Sequence, residues 1–214
     1  MNHSICKNIQ EIEEEIGNTQ LVVVSKYRSL EELEKVYSCG HRHFGENRVQ
    51  ELVDKYETLP KDINWHVIGH LQTNKVKYIA PFVHLIHSVD SLKLLKTIDK
   101  EAEKSDRVID FLFQMHIAQE DTKFGLSEYE LKGILENEEY SSLNNVRCKG
   151  LMGMSTNTQD NNQVTSEFTA LKATYDMYAT EYNFDILSMG MSSDYLVAIV
   201  NGSTMIRVGS KIFQ

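Results

Sequence analysis

The sequence predicts an α/β fold, a single-domain (β/α)8 barrel of the TIM type with an extra N-terminal helix. Three observations predict it. Short apolar runs rich in β-branched residues recur eight times, segments with helical periodicity separate them, and no Pro-, Gly- or Ser-rich linker interrupts the 214 residues. Buried strands that alternate with helices are typical of a parallel sheet covered by helices, and eight such units in roughly 200 residues approach the lower size limit of this barrel. We therefore expect one domain over residues 1–214.

The predicted elements follow one another in a regular order. The first segment carries Ile9, Ile12 and Ile16 at helical spacing, which predicts the extra helix. The predicted strands are Leu21–Ser25, a short run at His43 and Phe44, Trp65–Gly69, His84–Val89, Ile109–Ile117, Val146–Met152, Phe184–Leu187 and Met205–Val208. The predicted helices between them are Leu30–Ser38, Val49–Tyr56, Asn74–Ile79, Leu92–Ala102, Tyr129–Leu135, Val164–Tyr182 and Tyr195–Val200. An open doubly wound sheet is the alternative, but neither GxGxxG nor GxxxxGKS/T follows any strand.

The charge balance argues against two classes of partner. The chain has 22 Lys and Arg against 31 Asp and Glu, a formal net charge of −9, and no basic run. Nucleic acids and anionic membrane surfaces are bound through clustered basic side chains, so we expect neither as a partner. With 41% hydrophobic and 25% charged residues, the composition is that of an ordinary globular protein.

The amino terminus and the cysteines indicate a compartment. The first residues form no signal region, and no run of about 18 apolar residues is present. Cys6, Cys39 and Cys148 are odd in number, widely spaced and free of any CxxC pair. This pattern argues against a disulfide framework and against a cysteine-based zinc site. We therefore expect a cytoplasmic protein in a reducing environment.

Lys26 is the first candidate for chemistry. It directly follows the apolar run VVVS, so its amine would enter the mouth of the barrel at the carboxyl end of the first strand. A lysine that is desolvated there near other cations becomes nucleophilic and can form a Schiff base with an aldehyde. A solvated surface lysine is the alternative, and other residues must decide between the two.

The ends of the seventh and eighth predicted strands supply an anion site. The string LSMGMSSDY offers Gly190 for a tight turn and Ser192–Asp194 as caps of the next helix, where free backbone amides attract anions. In MIRVGS, Gly209 permits a close approach of the backbone to a ligand, and Ser210 adds a hydroxyl. A phosphate site commonly follows strands seven and eight of such barrels. Plain helix capping is the alternative.

Arg207 completes the predicted site. It lies two residues before Gly209, so strand alternation turns both residues to the same side of the sheet. A buried arginine needs an acceptor, either an inward carboxylate or the ring nitrogen of a bound heterocycle. An amine, a phosphate site and an inward arginine together describe a site for a phosphorylated aromatic aldehyde. Pyridoxal 5′-phosphate (PLP) is the natural fit.

Seven strings along the chain carry a family resemblance. They are VVVSKYRS, FGENRVQE, WHVIGHLQTNK, KFGL, KGLMGM, LSMGMSSDY and IRVGSKIF. In order and rough spacing, over nearly the whole chain, they resemble the pyridoxal phosphate homeostasis protein family. The resemblance implies a fold-type III barrel, similar to the amino-terminal domain of alanine racemase, with PLP at the carboxyl ends of the strands.

The resemblance also implies roles for individual residues. Lys26 of the VSK string would form the internal Schiff base, and Asn47 of FGEN would line the cofactor pocket. The other implied cofactor-binding residues are Ser192 at the phosphate, Gly209 and Ser210 around it, and Arg207 at the pyridine nitrogen. The chain departs from the family pattern at Ser210, where threonine is usual, and at Met115 and His116 on the fifth strand. Serine keeps the hydroxyl, whereas the other two changes leave the shape of the pocket floor open.

No metal site is predicted. His66 and His70 are four residues apart, but a strand-to-loop segment does not place them on one helical face, and HExxH is absent. Four further histidines are interpreted as ordinary residues at strand ends and not as metal ligands: His41, His43, His84 and His87.

The chain offers little for catalysis beyond the cofactor itself. PLP chemistry depends on acids and bases around the Schiff base, and in alanine racemase the second base is a tyrosine from an additional β domain of the partner subunit. Here six residues follow Val208, so we expect one face of the cofactor to be open. An arginine at the ring nitrogen also disfavours its protonation. We expect a non-catalytic, monomeric protein of intracellular PLP homeostasis that buffers the cofactor or delivers it to PLP-dependent apoenzymes.

Two other functions stay open at this point. A PLP-dependent fold-type III racemase or decarboxylase would need a base opposite Lys26, from Tyr27, His66 or a dimer contact. A phosphosugar aldolase would use Lys26 directly and would be colourless when purified.

Overall fold

The chain folds into a closed barrel of eight parallel strands in sequence order. The computed structural model describes residues 2–120 and 124–214. The strands are β1 Gln20–Val24, β2 His43–Glu46, β3 Asn64–Val67, β4 Leu85–Val89, β5 Ile109–Met115, β6 Val146–Gly153, β7 Ile186–Ser188 and β8 Met205–Val208. The pairing of β8 with β1 closes the ring, with Val23 opposite Val208. The predicted barrel is confirmed.

Helices cover the outside of the barrel. Those described are α1 Asn2–Ile16, α2 Leu30–Ser38, α3 Val49–Thr58, α4 Val76–Ile79, α5 Leu92–Lys104, α6 Glu128–Leu135, α7 Glu138–Ser141, α8 Asn161–Tyr182 and α9 Tyr195–Val200. A 3₁₀ turn, Thr73–Lys75, precedes α4. The extra helix α1 is as predicted, whereas α7 was missed because a single turn is too short to show hydrophobic periodicity. Within the described ranges, no helix is long and apolar enough to cross a bilayer.

Strand alternation separates two hydrophobic clusters. Side chains from five strands form a small cluster inside the barrel: Val22, Leu85, Leu112, Met152 and Met205. The larger cluster lies between the sheet and the helices and includes the fully buried Phe44 and Trp65. Because both faces of the sheet are covered, a strand such as β1 contains a continuous apolar run, LVVV, in the sequence.

Two of the three cysteines are bonded, so the prediction against disulfides is wrong for them. Cys6 on α1 and Cys39, directly after α2, form a disulfide with a Cα–Cα distance of 5.4 Å. The two residues are 33 positions apart, and only the packing of α1 against α2 brings them together. Cys148 is free, and burial raises the pKa of its thiol to about 12. The cysteines therefore give no support to the predicted reducing environment.

Candidate cofactor-binding site

A cavity of about 430 Å³ opens at the carboxyl ends of β1, β7 and β8. Its lining residues are Val24, Lys26, Met191, Ser192, Ser193, Arg207, Gly209 and Ser210. Five of the six residues predicted to bind a cofactor are among them. The two ends of the chain meet here because β1 closes the barrel against β8.

Lys26 reaches the cavity from a tight turn after β1. The next residue, Tyr27, has a left-handed backbone with φ of 62°, and the Arg28 N–H donates to the Ser25 carbonyl at 3.1 Å. A left-handed conformation costs a residue other than glycine roughly 1–2 kcal/mol, so the surrounding structure must hold this turn. The Lys26 side chain is exposed, not desolvated as expected. Among the described residues, the Lys26 amine has no hydrogen-bond or ion-pair partner, so it is available to a ligand.

A buried polar network lies directly beneath this turn. The Ser25 hydroxyl donates to Glu46 Oε1 at 2.6 Å. The Lys55 ammonium donates to the same oxygen at 2.6 Å and to the Ser25 carbonyl at 2.9 Å. Burial raises the pKa of Glu46, while the bonds from Lys55 and Ser25 oppose that shift. The network ties the end of β1 to β2 and α3, next to Lys26. The sequence analysis missed this network, although a glutamate two residues after the predicted strand at His43 and Phe44 was a visible signal.

The predicted anion site is built from two loops. The Ser192 hydroxyl, after β7, accepts the backbone N–H of Gly209, after β8, at 3.2 Å. Within the described ranges, the backbone N–H groups of Ser192, Ser193 and Ser210 have no protein acceptor. Unpaired N–H groups that line one cavity form a binding site for an anion such as a phosphate.

The geometry corrects two details of the predicted anion site. The Asp194 side chain does not cap α9. It accepts from the Met191 N–H and from the Ser155 hydroxyl, both at 2.6 Å, and α9 has only six residues. The small size of Gly209 is required by packing, because a Cβ there would lie 3.1 Å from the Val24 carbonyl oxygen. The anion site therefore depends on loop amides, not on a capped helix.

Arg207 is held inside the barrel by neutral acceptors. Its side chain donates to Ser188 Oγ at 2.6 Å and to the Gly153 carbonyl at 3.0 Å, and the residue is 3% exposed. Burial lowers the pKa of the guanidinium to about 10. No carboxylate of the described chain bonds to it, so the inward-carboxylate alternative is not found. Its remaining N–H groups are available to a ligand in the cavity.

Asn47 lies apart from the other predicted residues. It lines a neighbouring cavity of about 290 Å³ together with Arg48, Gln72 and Lys75. Its side-chain oxygen Oδ1 is buried and has no hydrogen-bond partner in the part of the chain that the structure describes. A hydrogen-bond donor of a ligand next to this oxygen would satisfy it.

Met115 at the end of β5 and His116 directly after it do not line the Lys26 cavity. Met115 is 5% exposed and belongs to the outer hydrophobic cluster. A ring nitrogen of His116, Nε2, lies 3.1 Å from the Glu120 carbonyl oxygen. Neither residue lines the cavity, so neither forms its floor. Lys123 of the KFGL string lies outside the described residues.

Comparisons with known proteins agree with this architecture. Residues 3–214 match the family model described as alanine racemase, N-terminal domain. A protein of Aquifex aeolicus (strain VF5) named pyridoxal phosphate homeostasis protein is 39% identical, and the match covers 98% of this chain and 94% of the relative. The chain belongs to the pyridoxal phosphate homeostasis protein family. The family resemblance in the sequence is thereby confirmed.

Two solved structures share the barrel fold of this chain. PipY of Synechococcus elongatus PCC7942, solved with PLP bound, is 30% identical with a TM-score of 0.89, covering 98% of this chain and all of PipY. Alanine racemase of Bartonella henselae is 12% identical with a TM-score of 0.75, covering 99% of this chain and 58% of the racemase. The second likeness shows the shared fold alone.

Proposed function

We propose that this chain binds PLP reversibly in the Lys26 cavity and serves intracellular PLP homeostasis. The observation that carries the proposal is that one cavity of about 430 Å³ combines a free lysine amine, unpaired backbone amides and a buried arginine. PLP, when bound, supplies an aldehyde, a phosphate and a pyridine nitrogen, one group for each of these features. The residues present therefore fit the cofactor. The related structure of PipY with PLP bound supports the same assignment.

Each side chain has a definite task in this proposal. The Lys26 amine attacks the aldehyde carbon and releases water, which gives a bond that hydrolysis reverses. The N–H groups of Ser192, Ser193 and Ser210 donate to the phosphate. The Arg207 guanidinium donates to the pyridine nitrogen and, as a cation, keeps that nitrogen unprotonated.

Borohydride reduction with peptide mapping tests the proposal. The purified protein loaded with PLP should absorb in the visible region, and reduction should leave the cofactor on the peptide that contains Lys26. Lys26→Ala should lose the visible band and keep its circular dichroism, because the side chain is exposed. Lys77→Ala, another exposed lysine, is the matched control and should keep the band. Reduction onto a different lysine, or an unchanged spectrum of Lys26→Ala, would falsify the assignment.

We further propose that the protein is not an amino-acid racemase or decarboxylase. His66, one candidate base, is fully buried and hydrogen-bonded to His43 and His87. Tyr27, the other, is 67% exposed and lies near the Arg48 guanidinium. A base needs a fixed place within hydrogen-bond reach of its proton. Incubation with L-alanine, L-serine and L-lysine in deuterium oxide should exchange the Cα proton no faster than free PLP does; faster exchange would favour an enzyme.

Buffering and delivery of the cofactor are part of the same proposal. An exposed attachment lysine at an open cavity allows PLP to leave, and a cytoplasmic monomer could pass it to PLP-dependent apoenzymes. Mixing the loaded protein with an inactive apoenzyme should restore activity faster than the measured dissociation into buffer allows if transfer is direct. Sedimentation at micromolar concentration tests the monomer.

A further inference from the structure

Three histidines meet at the amino-terminal mouth of the barrel, the end opposite the Lys26 cavity. His43 is the first residue of β2, His66 lies in β3, and His84 directly precedes β4. One ring nitrogen from each lies within 4.8 Å of the other two. The prediction of no metal considered histidines within single segments, whereas the barrel joins residues from three.

The three rings form a nearly equilateral triangle. Their centroids are 5.2 Å apart for His43 and His66, 5.3 Å for His66 and His84, and 5.6 Å for His43 and His84. In a tetrahedral zinc site the metal–nitrogen distance is about 2.0–2.1 Å, which puts each ring centre about 3.2 Å from the ion and neighbouring centres about 5.2 Å apart. The spacing of the three ring centres therefore matches that of a three-histidine site.

Two of the rings already have the outer hydrogen bonds that orient metal ligands. His43 Nδ1 and His66 Nε2 lie 3.0 Å apart and are hydrogen-bonded. An ion bound by both nitrogens would replace this hydrogen bond, and the bridging proton would move to the opposite nitrogen of the ring that carries it. The opposite nitrogen of His66, Nδ1, lies 2.9 Å from His87 Nε2. The opposite nitrogen of His43, Nε2, lies 3.3 Å from the Asn64 side-chain amide, which can present its oxygen instead of its nitrogen. Such partners hold the ring orientation and tautomer of a metal-binding histidine.

The third ring provides access. The His84 residue is exposed, and within the described ranges its ring nitrogens have no hydrogen-bond partner. An ion could enter from solvent at this ring and keep a water molecule at the fourth position.

We propose that His43, His66 and His84 bind one divalent transition-metal ion, with Zn²⁺ as the ion best suited to three imidazoles and an open position. This site is separate from the cofactor cavity. It is nevertheless connected to it, because the hydrogen bonds of His66 continue through His87 and Ser188 Oγ to Arg207.

Zinc titration of the PLP-loaded chain, without a histidine tag and stripped with a chelator, tests the proposal. We expect one Zn²⁺ per chain after gel filtration, and visible bands of tetrahedral Co²⁺ when cobalt replaces zinc. His84→Ala should fold and bind Zn²⁺ at least about tenfold more weakly, since loss of even an outer partner costs about 10–100-fold. His84→Cys keeps a zinc ligand and should restore binding.

His70→Ala provides the matched control. His70 is another exposed histidine, outside the triangle, and its loss should leave the Zn²⁺ affinity unchanged. The proposal is overturned if the wild-type chain takes up no stoichiometric Zn²⁺, if His84→Ala binds it as tightly as the wild type, or if His70→Ala weakens it equally.

Discussion

The Ser192 hydroxyl accepts the backbone N–H of Gly209 at 3.2 Å. This bond joins the loop after β7 to the residue after β8 and so links the two halves of the anion site. The same closure brings Lys26, at the end of β1, to the edge of the site. Changes at this junction should therefore affect cofactor retention.

Ser210→Asp should weaken PLP retention. The change places a carboxylate beside the phosphate dianion at an exposed position, where it should not disturb the fold. A loss of about 1.4 kcal/mol or more corresponds to at least about tenfold in affinity. Equilibrium dialysis measures it, with the neutral Ser210→Asn as control. If the two variants bound PLP with equal affinity, Ser210 would not lie beside the phosphate and the proposed anion site would be wrong.

Gly209→Ala should weaken both packing and the anion site. The new methyl group would lie 3.1 Å from the Val24 Cβ and carbonyl oxygen, so β8 or β1 must shift. Overpacking of this kind costs about 1–3 kcal/mol and would disturb the bond to Ser192. Gly133→Ala, in the open on helix α6, should instead stabilise the protein by up to about 1 kcal/mol. Thermal unfolding compares them, and similar shifts in both variants would contradict the packing argument.

Lys55→Met should destabilise the protein strongly. It removes the partner of Glu46, whose carboxylate is fully buried, and breaking a buried pair costs about 3–5 kcal/mol. Lys96→Met, which breaks an exposed pair with Glu139, should cost at most about 1 kcal/mol. Urea denaturation of both variants measures the difference. Equal losses in the free energy of unfolding would show that the buried Glu46–Lys55 pair contributes no more to stability than an exposed pair.

The pH dependence of Lys55→Met provides a second measurement. Burial raises the folded-state pKa of Glu46, so the folded protein holds this proton to higher pH than the unfolded chain. Stability therefore falls as pH rises from the ordinary glutamate value through the raised one. Without Lys55 the pKa should rise further, and the variant should lose more stability, relative to wild type, at pH 7 than at pH 4. A pH-independent difference would contradict this.

Ser188→Ala should change the position of the Arg207 side chain and leave the strands of the barrel in place. The hydroxyl accepts from Arg207 at 2.6 Å and lies 3.0 Å from His87 Nδ1, so alanine leaves two buried polar groups without this partner. We expect a loss of about 1–3 kcal/mol in stability and a shift in the absorption of bound PLP. Ser38→Ala, an exposed serine on α2, should change neither. An unchanged absorption spectrum would show that Ser188 does not orient Arg207 toward the bound cofactor.

The sequence by itself determined the fold class and much of the proposed site. Buried strands such as the one predicted at Leu21–Ser25 can be recognised in the sequence, because a covered parallel sheet requires apolar residues on both faces. Parallel strands bring their carboxyl ends to one edge of the barrel. The sequence therefore predicts that the residues at or after these ends share one site: Lys26, Ser192, Arg207, Gly209 and Ser210.

Only the tertiary structure decided which distant side chains meet. The Cys6–Cys39 bond, the Glu46–Lys55 pair, the Asp194 contacts and the triangle of His43, His66 and His84 all depend on the curvature of the barrel and the packing of its helices. Local patterns record which face a residue occupies. They do not record the distance between elements, because closure of the ring sets that distance.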